Sequence, residues 1–169
     1  MRESLRIVVA CTLAAVGYGI LHDLITAHVC VEYFTEWHPQ MVSSRNPVVL
    51  ALVGGVVATW WVGALLGMLL AVVARAGSRY PKLALSQLAR PIAYVLGITG
   101  ATALVLGLAG YWSVCAWGAP PFVPPADAVG YWRPCCAVAI AHDASYGVGF
   151  LSGCGAILWV LQRRRRLTP

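Results

Sequence analysis

Four apolar runs, near residues 5–30, 47–74, 91–114 and 135–162, each reach or exceed the roughly 20 residues needed to cross about 30 Å of hydrocarbon. In hydrocarbon every backbone amide and carbonyl must find its partner within its own segment, so runs of this length predict helices. The expected fold is all-α: a four-helix transmembrane bundle forming one integral membrane domain over residues 1–169. Composition agrees, because 60% hydrophobic and 11% charged residues leave far less charge than the roughly 25% of a soluble domain.

Helix starts and direction can also be read. Asn46-Pro47 predicts the start of the second span, with asparagine capping the first amides and proline where its missing N–H is harmless. Arg90-Pro91 and Arg133-Pro134 predict the starts of the third and fourth. Ten basic residues lie in the N-terminus, the 75–90 loop and the Arg163–Arg166 run, against two (Arg45, Arg133) in the other loops. That bias predicts cytoplasmic termini. Because the bases flank apolar runs, the net charge of +6 reads as a topology signal with no nucleic-acid partner. The arginine run is expected to act as an anchor, and the proline-rich 115–134 loop as a stiff cover over the outer mouth.

All four histidines and four of the six carboxylates fall in two stretches. His22, Asp23, His28, Glu32, Glu36 and His38 lie in the first, His142 and Asp143 in the second. An ionisable group inside a bilayer costs roughly 2.5 to 3.5 kcal/mol on insertion scales, so residues kept there suggest a site. With the first helix running outward and the fourth inward, both His-Asp pairs lie on the order of 10 Å below the outer surface. At about 100° per residue, Ala15, Gly19, His22 and Thr26 share one face, and His142, Tyr146, Gly149 and Gly153 another. Small-residue stripes permit close helix approach in lipid. They are expected here to bring helices one and four together, His22 facing His142 with Tyr146 one turn below.

Imidazole with carboxylate is the ligand set of zinc, iron, copper or manganese, and a divalent cation would neutralise the buried acids. The expected ligands are His22, His142, Asp23 and Asp143, joined by His28 and Glu32 if the first helix continues past residue 30. Asp23, Asp143 and Tyr146 are the candidates for catalysis beside such an ion, which would activate water or oxygen next to a lipid-accessible pocket. A lipid-soluble or small-molecule substrate would follow. Two other readings stand beside this one: a carrier or channel component for metal ions or protons, and a structural subunit whose His-Asp pairs are interhelical hydrogen-bonding glue. His38 and Glu36 read as solvated loop residues. Cys30 is expected to bridge Cys115, Cys135 or Cys136 on the oxidising side, while Cys11 and Cys154 read as packing residues. Trp60 and Trp61 read as interhelical packing or as the wall of a lipid pocket.

The strings HDLITAHVCVEYFTEWHP and AHDASYGVGF are similar to sequences of a family of small bacterial multi-pass membrane proteins. The resemblance is confined to these two stretches. It implies residence in a bacterial inner membrane and no particular activity. Signatures of other membrane enzymes are missing from the sequence: it holds no CxxC, no HExxH and no multi-histidine box.

Overall fold

The computed structural model describes residues 2–117 and 132–167, so the expected cover at 118–131 lies outside the described residues. Four helices, α1 (Arg2–Val29), α2 (Pro47–Arg75), α3 (Leu85–Trp117) and α4 (Trp132–Arg166), alternate in direction, and a single π-helical turn, Tyr33–Trp37, follows α1. All four α-helices are long and apolar enough to cross a membrane. The chain is an all-α, multi-pass integral membrane protein.

The start of α2 is as the sequence predicts. Asn46 Oδ1 accepts from the amides of Val48 (2.9 Å) and Val49 (3.4 Å), with Pro47 at the first helical position. At the other end of α2, Gly77 turns the chain with φ 74°, a left-handed conformation that favours glycine. The start of α3 corrects the sequence reading. Pro91 lies inside the helix, which begins six residues earlier at Leu85. Two amides at its start are satisfied by side chains: Leu85 N donates to Glu3 Oε1 of α1 (2.9 Å), and Ala84 N donates to Gln87 Oε1 (3.0 Å) within the first turn. The latter is the side-chain half of a capping box. Pro91 has no N–H to give the Gln87 carbonyl, and Arg163 of α4 donates to that oxygen instead, at 3.4 Å.

The bundle is two hairpins, α1 packed chiefly on α2 and α3 on α4. The small-residue stripe of α1 therefore serves a different neighbour from the one expected. Gly19 and Ala15 face Gly55 and Gly63 of α2, not α4, while Gly149 faces Thr99 and Gly153 faces Leu66. A Cβ at Gly55 would lie 2.5 Å from the backbone nitrogen of Ile20 and 2.6 Å from its Cα. Neither atom can yield unless the helices separate, so Gly55→Ala is expected to cost about 1–3 kcal/mol by overpacking. Gly155, where a Cβ meets nothing within 4 Å, is the matched control. Thermal melts of both variants in one detergent test this, and equal melting temperatures would refute the tight α1–α2 seam.

Two apolar clusters close the ends of the bundle. Ile7, Leu70, Leu83, Leu88 and Val160 fill the end that holds Arg2 and Arg166, and Ala27, Cys30, Phe34, Leu50, Cys135 and Val138 fill the other. Arg164, which the sequence places in the anchoring arginine run, is buried. Its guanidinium donates to the carbonyls of Val73, Ala76, Tyr80 and Pro81, tying α4 to the end of α2 and the loop beyond it.

Candidate metal centre

His22 and Asp23 are neighbours on α1, about 100° apart around the helix. His142 arrives from α4, and the rings of His22 and His142 meet edge to face with centroids 4.6 Å apart. His142 Nε2 lies 3.3 Å from Asp23 Oδ1, and both side chains are buried. Asp23 has room because Gly54 of α2 faces it: a Cβ there would come within 2.8 Å of Oδ2. The π-helical turn supplies the cover, with the Tyr33 ring 4.7 Å and the Phe34 ring 5.6 Å from that of His142. Burial, with the charge of Asp143 adding to it, pushes the Tyr33 phenol up to about 12, so it stays a neutral hydroxyl. Below His22 stands Tyr18, stacked at 5.8 Å and hydrogen-bonded through its hydroxyl to Ser145 Oγ at 2.8 Å.

Donors and acceptors do not balance at this cluster. His142 Nδ1 is 2.9 Å from the carbonyl oxygen of Val138, which can only accept, so Nδ1 carries the proton. In a neutral imidazole Nε2 is then also an acceptor, and it faces a carboxylate oxygen at 3.3 Å. Two acceptors at that distance need a cation between them, either a proton or a metal. His22 Nε2 is likewise buried and without a hydrogen-bond partner among the described residues. One ligand atom from each of His22, Asp23 and His142 falls within 4.8 Å of the others. Donors around a tetrahedral ion stand about 3.4 Å apart at bond lengths of about 2.0–2.2 Å. The His142–Asp23 spacing already suits one ion, and His22 would have to swing inward. The Val138 carbonyl occupies the position in which a backbone oxygen commonly orients a ligating histidine.

The other expected ligands lie elsewhere. His28 is exposed, its Nδ1 2.6 Å from the Leu24 carbonyl. Glu32 is paired with Arg45 at 3.1 Å, and Glu36 shares that arginine at 3.3 Å. Helix α1 ends at Val29, so the continuous helix that would have aimed His28 and Glu32 at one ion is broken. Asp143 is exposed on α4, close enough to Tyr33 and Tyr146 to act on both electrostatically. Tyr146 is half-exposed and borders the cavity below the cluster. His38 is partly exposed and caps the end of the π-helical turn, its Nδ1 3.1 Å from the Pro39 carbonyl. Trp60 and Trp61 are about half-exposed on the outward face of α2, and they border neither cavity described below.

Cys30 is joined to Cys135, with Cα atoms 5.4 Å apart, while Cys11, Cys136 and Cys154 are free. The bridge ties the residue just after α1 to the first turn of α4, one helical turn before Val138. It thereby fixes the Tyr33–Phe34 cover relative to His142. The sulfurs of Cys30 and Cys135 also cluster with the Glu32 carboxylate, but their bond to each other leaves no thiolate to ligate.

Two cavities adjoin the cluster. One, of about 150 Å³, runs down the bundle from His22, Asp23 and His142 to Cys11, Leu70 and Ile157. The other, of about 310 Å³, is a groove between α1 and α3 bordered by Leu21, Ile25, Gly100 and Leu104. Fold and site together define a multi-pass membrane protein with a buried histidine–aspartate cluster at one end of its bundle. No protein family, characterised protein or solved structure matches the chain.

Proposed function

We propose that this protein binds a divalent transition metal, zinc, iron, copper or manganese, through His22, Asp23 and His142. The observation that carries the reading is the acceptor pair His142 Nε2 and Asp23 Oδ1, 3.3 Å apart with Nδ1 already committed. A metal ion resolves that conflict and would also take the unpartnered His22 nitrogen. Three protein donors leave a further position for water or substrate, the open arrangement that supports Lewis-acid chemistry. Asp143 and Tyr146 stand outside the ligand set, near Tyr33, as candidates to pass a proton to or from that position. The site end is assigned to the non-cytoplasmic side, a reading supported by the basic residues at the opposite end and by a disulfide beside the cluster.

Metal analysis of the detergent-purified protein tests this. Wild type is expected to carry roughly one equivalent after loading and dialysis, and His22→Ala and His142→Ala less than about a tenth of that with helical content unchanged. Metal-free wild type, or equal metal in all three, would overturn the proposal. A cation site occupied by a proton alone would then explain the pair. A conduit is disfavoured because the cavity below the cluster is walled mainly by apolar groups, with only Thr59, Thr99, Tyr18, Ser145 and Tyr146 as polar residues beyond the cluster itself.

A further inference from the structure

We propose that the inner cavity holds the single hydrocarbon chain of a long-chain carboxylic acid that enters from lipid through the α1–α3 groove, with its carboxylate at His22. The inference rests on the metal-binding reading, which it extends to a ligand class. Tyr18 and His22 border both cavities, so the two spaces meet at these side chains. Gly100 of α3 keeps the junction open, since a Cβ there would meet only the Tyr18 ring, at 3.4 Å.

The groove faces the bilayer. Leu21, Ile25 and Leu104 on its rim are each about 60% exposed, so an occupant comes sideways from lipid. Water gains nothing in spaces with so few polar partners, and apolar cavities of this size stay dry or take apolar guests. About 150 Å³ in the inner cavity suits one chain end, not the paired chains of a bilayer phospholipid. The polar end of the guest is fixed at the ion that His22 Nε2, the buried nitrogen without a protein partner among the described residues, would help to hold. Charge selects the headgroup. A divalent ion with Asp23 as its only anionic ligand carries a net +1 in a low-dielectric site, and one carboxylate brings it to zero, whereas an alcohol leaves it charged.

Photolabelling of the zinc-loaded, full-length protein in detergent with a fatty acid bearing a terminal diazirine tests the proposal, with metal content measured on the same samples. Labels are expected on inner-cavity residues such as Ala14, Val62 and Ala156, and excess palmitate should compete while hexadecanol and phosphatidylcholine should not. Gly100→Phe and Ala58→Phe, which fill the junction and the inner cavity away from the ligands, should each lower labelling by about tenfold with zinc retained. Should one variant fail to fold, the other and the wild-type label map still decide. Bound zinc with labels confined to lipid-facing residues such as Leu13 and Leu151 would overturn the chain site and leave the metal reading intact. Competition by hexadecanol equal to that by palmitate would overturn the carboxylate assignment. Competed cavity labelling in protein that binds no metal would support the chain site and sink the metal reading instead.

Discussion

Asp23→Asn is expected to abolish metal binding while leaving the metal-free bundle at least as stable as wild type. Asparagine keeps the shape of the side chain, and its amide can donate to His142 Nε2, now 3.3 Å from Asp23 Oδ1. The substitution removes a buried charge and replaces two facing acceptors by a donor and an acceptor, which is neutral or stabilising by about 1 kcal/mol. Wild type, by contrast, should gain about 2.7 kcal/mol from metal at a hundred times its dissociation constant, and the variant nothing. Melting curves with chelator and with saturating zinc separate the two effects. If the pair were only interhelical glue held as imidazolium and carboxylate, the variant would melt lower in chelator and zinc would not move wild type.

Arg164→Ala should cause the largest loss of stability of any single substitution outside the α1–α2 seam. The side chain is 3% exposed, and its guanidinium donates to four backbone carbonyls, of Val73, Ala76, Tyr80 and Pro81. Val73 lies in the last turn of α2, where carbonyls have no intrahelical partner and depend on outside donors. Each hydrogen bond to a charged group is worth about 1.5–3 kcal/mol, and truncation strands the oxygens, so a loss of about 3–5 kcal/mol is expected. Arg164→Lys should recover only part of it, because an ammonium cannot span the four oxygens with a planar fork. Chemical unfolding in mixed micelles measures the difference, with Arg165→Ala, on an exposed neighbour, as control. Equal losses at 164 and 165 would show that the run acts only as an anchor.

Much of the architecture was legible from the chain. Span length and hydropathy gave the four helices, Asn46-Pro47 gave the start of α2, and counting residues from the ends of the spans put His22 and His142 at one level. What escaped depended on partners distant in sequence. Pro91 reads as a helix start, and the earlier start rests partly on distant partners, the Glu3 carboxylate 82 residues away from Leu85 and Arg163 on the Gln87 carbonyl. A small-residue stripe announces close approach without naming the neighbour, so Ala15 and Gly19 read as facing α4 although they face α2. Arg164 is indistinguishable by composition from the arginines beside it. Nothing periodic in the sequence marks Tyr33, Phe34 and Gly54 as parts of the site, because the break after Val29 and the Arg45 pairing of Glu32 leave no such trace. The first spaced cluster of His28 and Glu32 looked attractive for the opposite reason, since i, i+4 spacing matters only on an unbroken helix.

The division into two hairpins bears on how the cluster comes into being during synthesis. The α1–α2 unit, with His22 and Asp23 aboard and its glycine seam complete, emerges from the ribosome well before residue 142. A ligand set split in this way can close only when the later half docks against the earlier one. On the metal-binding proposal, loading would therefore mark the final step of biogenesis, and the halves expressed as two separate polypeptides should bind the ion only upon association.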